Sequence, residues 1–219
     1  MKLGIHAMII GIVVLLLSGC GTTLTPKTDS EPMASKEISA SPSATPDAQS
    51  TIQTIEEAAE ETMDILHRKD IDKLAEIIHP TKGIQLSPYG TININKDVKI
   101  NANEIVALSK DPKIINWGNY DGSGFPIELE FSEYYDEFIY NHDFINAPKT
   151  SINEPISKGN SLNNIFEIYP KDQYQTIEYH FDVINPENSG LDWNSLKLVF
   201  EHVDHQWKLV AMIHDQWTI

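Results

Sequence analysis

The chain has 219 residues, long enough for one well-packed domain beside an N-terminal extension and too short for two. Its 41% hydrophobic and 22% charged residues suit a globular protein. The formal charge of −16, from 16 Lys and Arg against 32 Asp and Glu, repels phosphate backbones and excludes nucleic acid as an expected partner, while a single cysteine excludes an internal disulfide.

Lys2 gives a positive start, and an apolar run from Ile9 to Leu17 is broken only by Gly11. A run this short, closed by small residues, predicts a signal peptide over residues 1–19 rather than a membrane-spanning helix. The sequence Leu17-Ser18-Gly19-Cys20 resembles the lipobox of bacterial lipoproteins. In that family the cysteine thiol carries diacylglycerol, the peptide before it is removed, and the new amino terminus is often acylated. The resemblance implies that Cys20 is the lipidated first residue of the mature chain. It also implies an anchor in the cell membrane, with the protein on the extracytoplasmic face. Two or three acyl chains hold where one would be marginal. Residues 20–50 are rich in Thr, Ser, Pro and Ala with almost no large apolar side chains, which predicts a disordered tether.

The globular part is expected over residues 51–219. Thr54 followed by Glu57 is a capping box, and Ile55, Ala58, Ala59, Thr62, Ile65 and Leu66 then recur at helical spacing, with Glu56, Glu57, Glu60, Glu61 and Asp64 opposite. Asp70 caps a second short helix ending at His79-Pro80. Short strands are expected from Gly83 to Tyr89 and from Asp97 to Ile100. A helix follows from Asn101 to Leu108, and another, capped by Ser132, runs to Tyr140. From Thr176 to Val183 apolar Ile177, Tyr179, Phe181 and Val183 alternate with Glu178, His180 and Asp182, the pattern of a strand with one solvated face. Leu196 to Val203 and Gln206 to Ile213 form a hairpin turning at Asp204-His205. Its expected pairs are Phe200 with Leu209, Leu198 with Ala211, and Glu201 with Lys208.

Helices first and a sheet last predict an α+β fold, with helices packed on one face of an antiparallel sheet. The order, carried by Ile55 to Ile78 and by Leu196 to Trp217, resembles the nuclear transport factor two-like (SnoaL-like) superfamily. There, helices lie in a curved, cone-like sheet that ends in a hairpin. The resemblance implies a pocket between sheet and helices. The superfamily holds both enzymes and binding modules, so it does not choose a function.

Four groups of residues carry candidate chemistry. Asn119 to Glu130 places Asn119, Asp121, Ser123 and Glu130, with Gly124, at the oxygen-ligand and glycine positions of an EF-hand loop, which would bind Ca2+. Asn at the first ligand position and Pro126 inside the loop depart from that pattern, and the plainer reading is a Gly-rich turn. His202, His205 and His214 lie close together in the hairpin, yet this register points them apart, with His214 on the face opposite Trp207. His214 with Asp215, or His180 with Asp182, would supply acid–base catalysis, although His214 and Asp215 as strand neighbours face opposite ways, and the face that His180 and Asp182 share reads as solvated. Trp117, Trp217 and His214 are candidates for lining a ligand pocket. No G-x-S-x-G motif is present and the cysteine is committed to lipid. The expectation is a non-enzymatic module that binds a small molecule or an envelope protein. The alternatives are a cone-fold enzyme using His214 or Asp215 and a calcium-stabilised surface module.

Overall fold

In a computed structural model, residues 53–157 and 162–218 are described. The Cys20 lipobox, the signal peptide and the tether fall outside them. Helix α1 (Ile55–His67) starts where predicted. Thr54 Oγ1 accepts the Glu57 N–H at 3.2 Å, and Glu57 Oε2 accepts the Thr54 N–H at 2.8 Å. Its inner stripe buries Ala58, Ala59, Thr62, Met63, Ile65 and Leu66. Lys69 takes a left-handed φ of 53° to turn the chain, and Asp70 caps α2 (Ile71–Ile77) through the Lys73 N–H.

Strands β1 (Ile84–Ser87) and β2 (Val98–Ile100) form an antiparallel pair, followed by α3 (Ala102–Lys110) under an Asn101–Glu104 capping box. Strands β3 (Ile115–Asn119) and β4 (Pro126–Leu129) make a separate two-stranded sheet. The helix expected under a Ser132 cap begins two residues earlier. Glu130 is its cap position, and its N–H is held by Glu133 Oε2 rather than by a serine hydroxyl. After one turn, α4 (Phe131–Tyr134), it widens into a π-turn over Tyr135–Ile139, closed by the Tyr140 N–H on the Tyr135 carbonyl. After a 3-10 turn at Phe144–Asn146 come β5 (Lys149–Ile152), a short α5 (Ile165–Ile168), β6 (Tyr174–Phe181), a second 3-10 turn at Pro186–Asn188, β7 (Asn194–Val203) and β8 (Gln206–Gln216).

The class is α+β, with helices packed on a six-stranded sheet of order β2-β1-β8-β7-β6-β5. Every neighbour is antiparallel except β1 with β8, which run parallel; that mixed pairing was not legible in the sequence. Asp204 and His205, at φ 47° and 66°, make the two-residue hairpin turn, whose twist requires positive φ at both positions. Phe200 pairs with Leu209 and Glu201 with Lys208, as expected. Between Val199 and Phe200 the register shifts by one residue, so Leu198 meets Met212 and not Ala211. This β-bulge turns both Val210 and Ala211 away from the helices. The sheet is therefore buried on both faces. One face carries Leu196, Leu198, Phe200, Leu209 and Met212 against α1 and the π-turn. The other carries Val199, Val210, Ala211 and Ile213 against Ile92, Ile165 and Tyr169.

Candidate functional site

Neighbouring residues near the end of β8 serve opposite faces. His214 points into the helix-side core, not to the outer face that the unbulged hairpin implies, and is fully buried. Its Nδ1 lies 3.0 Å from the Pro88 carbonyl, which only accepts, so Nδ1 carries the hydrogen. Nε2 then accepts, and the amides of Asn141 and Asn194 approach it at 3.2 and 3.1 Å. The Oδ1 atoms of both asparagines are buried without a partner among the described residues. Burial pushes the imidazole pKa down to about 4, so the ring is neutral near pH 7. No carboxylate contributes to that shift.

Asp215 faces the other way, into a chain of polar side chains across β6, β7 and β8. Its Oδ2 accepts from Lys197 Nζ at 2.5 Å and from Ser157 Oγ at 3.0 Å. Glu178, directly across from Lys197, accepts the backbone N–H groups of Ile156 and Ser157 at 2.7 and 3.0 Å and the Ser195 hydroxyl at 2.7 Å. Ser195 Oγ also lies 2.6 Å from His180 Nδ1, and His180 Nε2 is 3.2 Å from Asp182 Oδ1. The sequence reading of a solvated Glu178–His180 face is thus wrong. Glu178 is 2% and His180 4% exposed, because residues 153–157 and Trp193 lie over them. Burial lowers the His180 pKa, against the opposing pull of Glu178 and Asp182.

This array reaches solvent beside Asp182, which is half exposed and ion-paired with Lys149 on β5. Lys149, Pro155, Ile156, His180, Asp182 and Trp193 line a pocket of about 360 Å3. The order Ser195–His180–Asp182 has the composition of a catalytic triad without its function. Ser195 is fully buried and its hydroxyl is held between His180 and Glu178, so no substrate carbonyl can approach it.

The other sequence candidates are dispersed. Trp117 is a core residue, fully buried and stacked on Tyr134 at 4.1 Å, with its indole N–H on the Leu129 carbonyl, so it cannot line an open pocket. Trp217 is half-buried and bonded through its backbone N–H to the Trp193 carbonyl. The candidate calcium loop forms the turn of the β3–β4 hairpin, in line with the plainer reading of a Gly-rich turn, and does not link two helices. Asn119 Nδ2 donates to the Gly124 carbonyl, Asp121 accepts from the Gly122 N–H and Thr218 Oγ1, and Ser123 Oγ accepts from the Phe125 N–H. Glu130 sits at the α4 cap. His202 and His205 are at the hairpin tip, where His202 packs on Trp207 at 4.8 Å, far along the strands from His214.

Sequence reasoning missed the Glu178–Ser195–Lys197–Asp215 array. Its one visible signal is Lys197 between leucines in the middle of an apolar strand, where a charge needs a partner. No family model matches the chain, and no curated protein and no solved structure matches it either.

Proposed function

We propose that the chain is a lipoprotein anchored through Cys20 to the extracytoplasmic face of the cell membrane. Its domain is a non-enzymatic binding module that takes a small polar molecule in the pocket beside His180 and Asp182. The membrane part rests on the lipobox. The binding part rests on one observation: the buried polar array is saturated internally and presents its outer end, with both a carboxylate and an ammonium, to a pocket of about 360 Å3. That volume falls in the range of small-molecule sites. A helix pair first and a hairpin last support the likeness to the cone-shaped superfamily, while His214 and Asp215 on opposite faces do not favour its enzymes.

Labelled palmitate should enter the protein in cells and be lost in Cys20→Ala, which should leave the membrane fraction; label retained by that variant refutes the anchor. For binding, the mature chain is melted against wall fragments and common metabolites. A ligand at a hundred times its Kd adds about 2.7 kcal/mol. The gain should vanish in Asp182→Asn and Lys149→Ala. A ligand whose stabilisation survives both substitutions binds elsewhere, and the pocket assignment fails.

A further inference from the structure

Strand β5 closes one end of the sheet, so its outer backbone edge pairs with no other strand among the described residues. Soluble proteins usually blunt such an edge, because it is a template for another chain. Here Lys149, Thr150 and Ile152 are solvent-exposed, and beside them runs an apolar groove of about 240 Å3 between β5 and α1. Ile145, Ile152, Ile177 and Tyr179 form its floor and walls, and Ile145 and Ile152 remain 40% and 38% exposed. Glu56 and Glu60 of α1 form its rim. Their neighbours are engaged: Glu57 caps the helix, Glu61 accepts from Gln53, and Asp64 holds Arg68. Glu56 and Glu60 make no ion pair among the described residues.

We propose that this edge is a docking site for an extended peptide segment of a partner protein that carries both apolar and basic residues among its helix-facing positions, which adds to β5 as a seventh strand. Backbone hydrogen bonds supply the attachment, and alternate side chains supply specificity. Every second residue of an added strand points to the helix side. There an apolar side chain meets Ile152 and Tyr179, and a basic side chain two residues along the same face comes within reach of Glu56 and Glu60. Charge decides the occupant. A second copy of this chain would bring another strongly acidic surface to an acidic rim, whereas a basic segment neutralises it. The site does not depend on the His180 pocket, since Ile152, Glu56 and Glu60 do not line it.

The test uses the full mature lipoprotein in detergent micelles and a fluorescent peptide of about eight residues in which every second position is alternately valine and lysine, with threonine between, long enough for an ordinary strand. Anisotropy should report saturable binding that weakens as salt rises. The Glu56→Lys/Glu60→Lys variant and, separately, Ile152→Lys should each weaken it at least tenfold with unchanged melting, because all three residues are exposed. An Asp182→Asn variant should bind as the parent does, which separates this site from the pocket. The proposal is overturned if the peptide fails to bind, if the same peptide with glutamate in place of lysine binds equally, or if the variants bind unchanged. Concentration-dependent dimerisation lost in Ile152→Lys would also overturn it, in favour of a second copy.

Discussion

Replacing Lys197 by methionine tests whether the outer-face array is a sealed charge pair. Lys197 and Asp215 are 1% and 5% exposed, and their atoms meet at 2.5 Å. Without the ammonium, Asp215 keeps the Ser157 hydroxyl at 3.0 Å and becomes a buried carboxylate with no opposing charge. Breaking a buried pair from one side costs about 3–5 kcal/mol, a large part of the roughly 5–15 kcal/mol that holds a domain. At about 2–4 °C per kcal/mol for a domain of this size, Tm should fall by roughly 6–20 °C. Urea unfolding and calorimetry at pH 7 measure both quantities. Adding Asp215→Asn, which keeps the shape, should recover roughly half the loss, since an unpaired buried amide costs about 1–3 kcal/mol. A single-variant loss below about 1 kcal/mol, the cost of an exposed pair, would refute the reasoning.

Gly90 lies where a Cβ would meet the Asp215 carboxylate at 2.5 Å, so Gly90→Ala should destabilise in urea unfolding, and by much less in a Lys197→Met background, where the pair is already broken. The pKa of His214 falls from 6.5 to about 4 on folding, so its neutral form stabilises fully above pH 6.5. That contribution, roughly 3 kcal/mol, is lost as pH drops toward 4. A His214→Gln variant should show a flatter decline of the urea midpoint over that window, and parallel declines would count against burial of a neutral ring. Melting in calcium and in chelator should coincide, because the loop closes a two-stranded hairpin and Ser123 Oγ already accepts the Phe125 N–H; a calcium-specific rise reversed by chelator would restore the EF-hand reading.

Local signals were legible where they act alone. The Thr54–Glu57 and Asn101–Glu104 boxes, the Asp70 cap and the Asp204-His205 turn each lie within a few residues, and each forms as read. What failed depends on distant chain. Alternation in β6 marks Glu178 and His180 as polar and cannot say that residues 153–157 will cross over them and bury them. Trp117 reads as a potential pocket wall until Tyr134 is brought against it from the next helix. The Asn119–Glu130 spacing can be read as a calcium loop or as a Gly-rich turn, and only the pairing of its flanks as strands shows that the backbone there is a hairpin turn.

The bulge in β8 links these errors to the site. Without the extra residue, the pairing that puts Phe200 opposite Leu209 would carry on to Leu198 opposite Ala211. Ala211, Ile213 and Asp215 would then face the helices, and Met212 and His214 would face outward. A one-residue slip exchanges the faces of everything beyond it. That arrangement would drive the Asp215 carboxylate into the apolar layer around Leu196 and Leu198 and leave Lys197 without its partner. The observed shift sends Met212 into the helix-side core, seats His214 against Pro88, and delivers Asp215 to Lys197. Burial of the lysine gives that shift a physical reason. Once residues 153–157 cover the outer face, the register that supplies Lys197 with a carboxylate is favoured over one that leaves two opposite charges buried on different faces.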